Sequence, residues 1–217
     1  MKGITKRAIL AACVGAAMLI SAGCGSNQNA QPTQLTYNGS STLAPVISKI
    51  ATDFTEKNKT WNHADSSLPD KDITIYVSSG GSGTGIKAVI DGTANFGLVA
   101  REVKDSEKAK IKDYNEIKVG IDALTIAVNP ENPLYAIKDN LTKEEIIKIF
   151  SGEYKTWNQV DPSLPNQEII VVTRDLGGGA HEVFQQKIMG SVEVTKDAIQ
   201  APSMGALVTK VKEIEES

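Results

Sequence analysis

The fold is indicated first by the run Tyr76-Val77-Ser78-Ser79-Gly80-Gly81-Ser82-Gly83-Thr84-Gly85-Ile86-Lys87. The β-branched residues 73–77 lead into this run, and an amphipathic helical pattern, 86–90, ends it. A strand, a glycine–serine loop and a helix in this order leave backbone N–H groups free at the positive end of the helix. Glycines let the backbone approach a ligand closely and serines add hydroxyl donors, so the run predicts an oxyanion site that needs no lysine.

A second loop of the same kind lies earlier in the chain. Residues 35–37 have the pattern of a strand, Asn38-Gly39-Ser40-Ser41-Thr42 that of a loop, and 43–54 that of a helix with one apolar face. A single serine-rich turn before a helix is most often an N-cap. Two such loops in successive strand–loop–helix units would place both helix N-termini at one edge of a parallel sheet, where open α/β folds bind ligands.

Strands and helices alternate through the rest of the chain, which favours a parallel or mixed sheet covered by helices. The predicted strands are residues 35–37, 73–77, 96–99, 117–128 and 168–172. The predicted helices are residues 42–56, 86–91, 143–150, 180–189 and 205–214. Residues 61–72 are predicted to be a polar loop. A boundary is predicted near Val128, because Asn129-Pro130-Glu131-Asn132-Pro133 ends a strand there.

The N-terminal residues predict an export signal and a tether rather than part of the fold. Basic residues precede an apolar stretch, 8–20, that is too short to span a bilayer comfortably. Ser21-Ala22-Gly23-Cys24 is similar to a bacterial lipobox, which predicts a lipoprotein signal peptide at 1–23 and lipidation of Cys24. An ordinary signal peptide cut one or two residues earlier is the alternative. Residues 24–33 would then be a polar tether that holds the domain on the extracytoplasmic face of the cell membrane.

Composition excludes several kinds of site. The chain has 26 acidic and 23 basic residues, a net charge of −3, and no basic face for nucleic acid is apparent. Its two cysteines are Cys13 and Cys24, so the domain after the signal has no internal disulfide and no thiolate zinc site. An anion would therefore be held by local dipoles and hydrogen bonds, against the field of the whole molecule.

The glycine loop does not match a nucleotide-binding P-loop. Gly80 and Gly85 have the required separation, but Ile86 stands where that motif needs its lysine. Neither of the two histidines lies in a zinc-hydrolase motif, and no Ser–His–acid set has motif support. The sequence therefore predicts neither an enzyme, nor a metal site, nor a cofactor.

Several motifs in a fixed order resemble one family. They are Asn38-Gly39-Ser40-Ser41-Thr42-Leu43-Ala44-Pro45, Ser78-Ser79-Gly80-Gly81-Ser82-Gly83-Thr84-Gly85, Asp91-Gly92-Thr93-Ala94 with Gly97 and Arg101, Asp122 before Ala127-Val128-Asn129-Pro130, Ile149-Phe150-Ser151-Gly152 with Trp157, and Val172-Thr173-Arg174-Asp175. Over roughly residues 35–211 they resemble the phosphate-binding lipoprotein, the substrate-binding component, of bacterial phosphate ABC importers. The resemblance implies a periplasmic-binding-protein-like α/β fold of type II. Its two α/β lobes, 34–127 and 128–217, would be joined by a hinge and would close around phosphate.

The same resemblance assigns phosphate-binding residues by position. They are Thr42, Leu43, Ser78, Ser79, Arg101, Asp122, Arg174, Gly178 and Gly179. Thr42 and Leu43 would act at the first helix N-terminus, and Arg174 would reach from the second lobe as a fork-shaped donor. Asp122 would accept a hydrogen bond from the proton of phosphate, which sulfate lacks at neutral pH. The alternatives are a strand-end acid for Asp122 and surface salt-bridge partners for both arginines.

Two departures from the family pattern stand out. Gly178 and Ala180 occupy positions where the family has serine and threonine, and Ala100 stands where serine commonly precedes Arg101. Each lost hydrogen bond to a charged ligand would cost about 1.5–3 kcal/mol. The family also continues beyond Val211 into a strand that returns to the first lobe. A C-terminally truncated protein is therefore expected, with an incomplete first lobe and uncovered apolar faces.

The leading interpretation is a monomeric, non-enzymatic receptor that is anchored by lipid at Cys24 and delivers inorganic phosphate to ABC permease subunits. Two alternatives stay open. One is a non-transporting or ligand-deficient relative, truncated or regulatory, which Gly178 and Ala180 favour. The other is a receptor for another oxyanion such as sulfate or molybdate.

Overall fold

The computed structural model describes residues 34–215 and 217, in which strands and helices alternate. The strands are β1 (Gln34–Gly39), β2 (Thr74–Ser79), β3 (Phe96–Leu98), β4 (Val172–Arg174) and β5 (Ile199–Ala201). The helices are α1 (Ala44–Asn58), α2 (Trp61–Ala64), α3 (Ser82–Ile90), α4 (Asp105–Lys108), α5 (Lys143–Ser151), α6 (Trp157–Val160), α7 (Gly179–Phe184) and α8 (Met204–Glu213). A 3-10 turn occupies Pro133–Ala136, and a π-helical turn, Gln185–Met189, continues α7. The predicted signal peptide, tether and lipidation site at Cys24 lie outside the described residues.

Two parallel sheets organise this part of the chain. β1 lies between β2 and β3 in the order β2-β1-β3, and its last residue, Gly39, is in register with Ser79 and Leu98. β4 pairs with β5, with Arg174 opposite Ala201. We call the first sheet with α1–α4 the first lobe, and the second sheet with α5–α8 the second lobe. The predicted α/β fold with parallel strands is confirmed, and the loops after β1 and β2 do share one edge of the sheet.

Glycine sets the position of α3 against the first sheet. A Cβ on Gly85 would lie 2.6 Å from the carbonyl oxygen of Asn38 and 2.8 Å from the Cα of Gly39. No other residue permits this approach, because any side chain would overlap the strand backbone. The N-terminus of α3 is therefore held directly over the carboxyl end of β1.

The second lobe has a buried apolar cluster of its own. Its members are Leu134, Ile149, Trp157, Val160, Leu164 and Ile169. α5 begins with a capping box, in which the Thr142 hydroxyl accepts the Glu145 N–H at 3.2 Å and the Glu145 carboxylate accepts the Thr142 N–H at 2.7 Å. The helix ends at Gly152, whose φ of 78° is in the left-handed region.

The strand predicted at residues 117–128 is wrong in this structure. The segment contains no strand or helix, and within the described residues no backbone–backbone hydrogen bond involves residues 112–128. A β-branched, alternating sequence becomes a strand only beside a neighbour that completes its hydrogen bonds. Ile117 and Ile121 are consequently 71% and 104% exposed.

Other boundaries also differ from the predictions. The strand predicted at 168–172 begins only at Val172, the strand Ile199–Ala201 was not predicted, and the predicted polar loop 61–72 contains α2 with Trp61 buried. The helix predicted from Thr42 begins at Ala44, and its apolar residues Val46 and Ile50 are 47% and 53% exposed. The predicted division of the chain at Val128 stays a prediction, because contacts group residues 33–217 into one compact unit.

Candidate functional site

A cavity of about 130 Å³ lies where the two lobes meet, at the carboxyl ends of the strands. Its lining residues are Ser40, Ser41, Thr42, Gly81, Ser82, Ala100, Asp122, Leu124, Arg174, Gly179, Ala180 and Val183. The cavity joins both predicted first-lobe loops to the predicted second-lobe loop. Of the predicted phosphate-binding residues, it brings together Thr42, Asp122, Arg174 and Gly179.

Arg174 ends β4, and its buried guanidinium connects the two lobes. Its Nε donates to the Ala201 carbonyl at 3.1 Å, and its Nη2 donates to the Asp175 carboxylate at 2.9 Å and the Pro202 carbonyl at 3.2 Å. Its Nη1 donates across the cleft to the Ser41 hydroxyl oxygen at 3.0 Å. These bonds use four of the five N–H donors of the side chain. Within the described residues, one Nη1 hydrogen remains for a ligand.

The turn that leads into α1 is held by a serine that the predicted set did not include. The hydroxyl oxygen of Ser40 accepts the N–H groups of Thr42 at 3.2 Å and Leu43 at 3.3 Å. The backbone donors predicted to bind phosphate are thus engaged by a side-chain cap, as in an ordinary serine turn before a helix. Thr42 still lines the cavity, whereas Leu43 does not.

Two further serines act as acceptors at the cavity wall. The hydroxyl oxygen of Ser41 accepts from Arg174 and from the Met204 N–H at 3.3 Å. The hydroxyl oxygen of Ser82, which is 1% exposed, accepts the Ala100 N–H at 3.1 Å. Each bond fixes the position of the serine hydroxyl oxygen. The hydroxyl hydrogen takes no part in these bonds.

Ser40, Ser41 and Ser82 therefore share one property. In residues 34–215 and 217, none of them donates its hydroxyl hydrogen to a protein acceptor, since each oxygen serves only as an acceptor. Three hydroxyl donors with fixed oxygens are therefore available to an acceptor in the cavity, such as an oxyanion. All three lie in the two quoted motifs, but their burial depends on how the loops pack, which no local pattern reports.

Backbone donors add to these hydroxyls. α3 begins at Ser82 and α7 begins at Gly179, and both residues line the cavity. Within the described residues no backbone carbonyl accepts the N–H of either residue, as expected for the first turn of a helix. The positive ends of two helices therefore meet at the cavity.

The glycine–serine loop after β2 lies only partly at the cavity. Ser78 donates its hydroxyl to the Tyr37 carbonyl at 3.1 Å and accepts from the Asn38 amide at 2.7 Å. Ser78 and Ser79 are exposed and do not line the cavity. They end β2 one loop away from the cavity, so the structure places Ser82 rather than Ser78 against it.

Arg101 is held in ion pairs rather than facing the cavity. Its guanidinium pairs with the Glu107 carboxylate at 2.8 Å and also with the Glu182 carboxylate, and its side chain is 7% exposed. The hydrogen bond from Arg101, together with the Lys104 N–H and the nearby charges, lowers the pKa of Glu107 to about 2. Arg101 is thus a salt-bridge partner, although its side chain is buried rather than at the surface as that alternative expected.

The glycines after Arg174 have a steric role. A Cβ on Gly178 would lie 2.8 Å from the guanidinium carbon of Arg174, and one on Gly179 would overlap the Ser82 hydroxyl. The serine that the family resemblance predicts at 178 would have to displace the Arg174 guanidinium from this position. Glycine there lets the loop lie directly on the guanidinium.

Asp122 supplies the carboxylate of the cavity. One of its oxygens accepts the Ala123 N–H at 2.9 Å, and the residue belongs to the irregular segment 112–128. The cavity therefore combines hydroxyl, guanidinium and backbone donors with a single carboxylate acceptor. Within the described residues, no group of His, Cys, Asp or Glu side chains is arranged to hold a metal ion.

Two parallel α/β lobes with a small polar cleft between their strand ends have the architecture of the periplasmic-binding-protein class. A comparison with protein families agrees with this class. The model described as a PBP superfamily domain matches residues 26–216, and the chain belongs to that superfamily.

Similar curated proteins are named individually as phosphate-binding proteins. The chain is 33% identical over 195 residues to the phosphate-binding protein PstS of Staphylococcus saprophyticus, covering 85% of this chain and 56% of the relative. It is 31% identical over 211 residues to PstS of Staphylococcus epidermidis, covering 92% of this chain and 60% of the relative. The chain thus spans less than two thirds of the length of these relatives.

Solved structures support the fold. A Clostridium perfringens crystal structure with bound phosphate, described as an ABC transporter substrate-binding protein, has a TM-score of 0.70 at 23% identity and covers 84% of this chain and 68% of that one. An ABC-type phosphate transport receptor from Vibrio cholerae has a TM-score of 0.56 at 24% identity, with the same coverage. None of the helices that the structure describes is long and apolar enough to cross a membrane.

Proposed function

We propose that the protein is a non-enzymatic receptor that binds inorganic phosphate outside the cytoplasm and delivers it to the permease of an ABC importer. The observation that carries this proposal is the set of unused hydroxyl donors of Ser40, Ser41 and Ser82 around one cavity with Arg174. The names of the curated relatives support the same ligand.

The single carboxylate favours phosphate over other oxyanions. Hydrogen phosphate would accept from the hydroxyls, from the remaining Nη1 hydrogen of Arg174 and from the N–H groups of Ser82 and Gly179. Its own proton would be donated to Asp122. Sulfate has no such proton, so Asp122 would face it as an unpaired like charge.

The binding test is calorimetric titration of the folded domain with phosphate and with sulfate. We expect heat with phosphate, no heat with sulfate, and a loss of tenfold or more in phosphate affinity in Ser82→Ala, because a hydrogen bond to a charged ligand contributes about 1.5–3 kcal/mol. Ser163→Ala is the matched control, since that hydroxyl donates to Asp161 away from the cavity. No heat with phosphate, or equal affinities in the two variants, contradicts the proposal.

The membrane anchor is a proposal from the sequence. Lipidation at Cys24 would keep the receptor at the extracytoplasmic face of the membrane, beside the permease that receives the ion. Expression of the full chain and of Cys24→Ser, followed by membrane fractionation and mass spectrometry, tests this. We expect acyl groups on Cys24 and release of the variant from the membrane fraction; an unmodified Cys24 contradicts the anchor.

A ligand-deficient relative is the second candidate function. Two observations favour it. Arg174 donates four of its N–H groups to protein acceptors. Gly178 and Ala180 lack the hydroxyls of the family pattern. Thermal unfolding with millimolar phosphate, sulfate or molybdate discriminates the candidates. A ligand that binds only the folded state must raise the melting temperature. An unchanged melt with all three anions favours the ligand-deficient relative, and a rise with sulfate or molybdate alone favours a receptor for that anion.

A further inference from the structure

One acidic side chain of the second lobe is shared by two basic side chains of the first. Arg101 and Lys104 follow β3, whereas Glu182 lies in α7. One carboxylate oxygen of Glu182 pairs with the Arg101 Nε, and the other pairs with the Lys104 Nζ. Both oxygens of this carboxylate are thus used across the cleft.

Arg101 is oriented for this contact by its own lobe. Its Nη1 and Nη2 donate to the two oxygens of the Glu107 carboxylate at 2.9 and 2.8 Å, and its Nη1 also donates to the Glu102 carbonyl at 2.9 Å. The same Glu107 carboxylate accepts the Lys104 N–H at 2.9 Å. Arg101 Nε makes none of these bonds, and it lies beside Glu182 in an ion pair rather than in an aligned hydrogen bond.

The contact is shielded and lies at the rim of the cavity. The side chains of Arg101 and Glu182 are 7% and 27% exposed, so solvent screens this pair less than an ordinary surface pair. Ala100, the neighbour of Arg101, lines the cavity from one lobe, and Val183, the neighbour of Glu182, lines it from the other. Separation of the lobes would break the contact and open the cavity together.

We propose that Arg101, Lys104 and Glu182 form an interlobe clamp that sets the affinity for phosphate by holding the cleft closed. The clamp rests on the proposed phosphate-binding function, and it makes these three residues positioning residues rather than ligands. The ion pairs exist only when the lobes are together, and a ligand held by both lobes binds only that state. Loss of the clamp therefore lowers the closed fraction and raises the apparent dissociation constant by the same factor.

The binding test compares Glu182→Gln with a matched control. Asp53→Asn breaks an ion pair with Lys49 that lies inside α1, so it does not join the lobes. We expect Glu182→Gln to raise the phosphate dissociation constant about five- to thirtyfold, through faster release and with little change in the melting temperature without ligand. Asp53→Asn should leave the dissociation constant unchanged. Equal phosphate constants in wild type and Glu182→Gln overturn the clamp.

A double-mutant cycle tests whether Lys104 acts through Glu182. Lys104→Met should weaken phosphate binding in the wild-type background and have a much smaller effect in Glu182→Gln, because the second charge then has no partner. If Lys104→Met raises the phosphate dissociation constant by the same factor in both backgrounds, Lys104 acts independently of Glu182. That result contradicts its place in the clamp.

A direct measure of closure separates the clamp from the proposed ligand. Fluorescent labels at Ser48→Cys in α1 and Thr209→Cys in α8, in the full chain with Cys13 and Cys24 changed to serine, report the distance between the lobes. Without phosphate, Glu182→Gln should lower the energy transfer relative to its parent, and Asp53→Asn should not. Unchanged transfer in Glu182→Gln overturns the clamp. If transfer falls but wild type binds no phosphate, the clamp stands as a closure device and the proposed ligand is wrong.

Discussion

At the scale of single residues, the site depends on glycines, which have no side chain, as much as on residues with polar side chains. Gly178 lies against the Arg174 guanidinium, where a Cβ would be 2.8 Å from its carbon. Judged from sequence, the absent serine at 178 is a lost hydroxyl donor. In the structure, the glycine is what lets the loop and the arginine occupy the same wall of the cleft.

A substitution at Gly178 tests this steric role. Gly178→Ala should lower the free energy of unfolding by about 1–3 kcal/mol, because an extra methyl group must displace the guanidinium or the loop. It should also weaken phosphate binding by moving Arg174. Urea unfolding and calorimetry measure both effects.

Gly177→Ala provides the control for that substitution. A Cβ at Gly177 would meet only the Asp175 carboxylate, at 4.0 Å, so the change should stay within about 0.5 kcal/mol. Equal destabilisation by the two alanines would contradict the role assigned to Gly178.

At the scale of elements, short segments are tied down by side chains at their ends. α4 has only four residues, yet Glu107 in its first turn accepts the Lys104 N–H and two guanidinium bonds from Arg101. These contacts hold the segment after β3 in the position from which it reaches the second lobe. A similar reciprocal cap between Thr142 and Glu145 begins α5.

The pH dependence of stability follows from this element. The pKa of Glu107 is lowered from 4.5 to about 2, first by the hydrogen bond from Arg101. A carboxyl whose pKa is depressed in the folded state contributes stability that is complete above its unfolded pKa and is lost as the pH falls through the folded one. The melting temperature should therefore fall between about pH 4.5 and 2.

Calorimetric melts of wild type and Glu107→Gln across this range measure the contribution. The variant should melt lower at neutral pH and lose less on acidification. The melting temperature of Glu107→Gln should still fall somewhat on acidification, because the pKa of Glu145 is also lowered to about 2 by its hydrogen bond from Lys138. An identical pH profile in both proteins would show that the Arg101–Glu107 contact is not formed in solution.

At the scale of the whole molecule, the two lobes differ in how far their apolar residues are covered. The second lobe has a buried cluster around Trp157, whereas the first lobe leaves Val46, Ile50 and Phe54 of α1 at least 37% exposed. The irregular segment 112–128, which contributes Asp122 to the cavity, makes no backbone–backbone hydrogen bond within the described residues. The carboxylate of the candidate site therefore belongs to the part of the fold with the least hydrogen-bonded support.

Hydrogen exchange tests this difference. Amides in 112–128 should exchange much faster than those of β1 or α5, because local opening needs no backbone hydrogen bond to break there. Mass-spectrometric exchange at neutral pH, with and without phosphate, measures it, and bound phosphate should slow exchange near Asp122. Protection of 112–128 equal to that of β1 would reveal a backbone partner that the described residues do not contain.

The sequence by itself determined the local structure. Alternating apolar patterns and glycine–serine loops before helices act over a few residues, and so α1, α3, α5, α7, α8, the first three strands and the shared edge could be predicted from them. The short helices α2, α4 and α6 were not predicted. The resemblance to phosphate-binding lipoproteins added Asp122 and Arg174 to the expected site, and both line the cavity.

Only the tertiary structure decided which side chains meet. Arg174 and Ser41 are 133 residues apart in the chain, and Lys104 and Glu182 are 78 apart. Contacts at such separations depend on how the lobes pack, so local pattern could not separate Ser82, at the cavity, from Ser78, which is not. For the same reason it could not show that Arg101 is paired with carboxylates, or that residues 117–128, although strand-like in sequence, lack the neighbouring strand that a sheet requires.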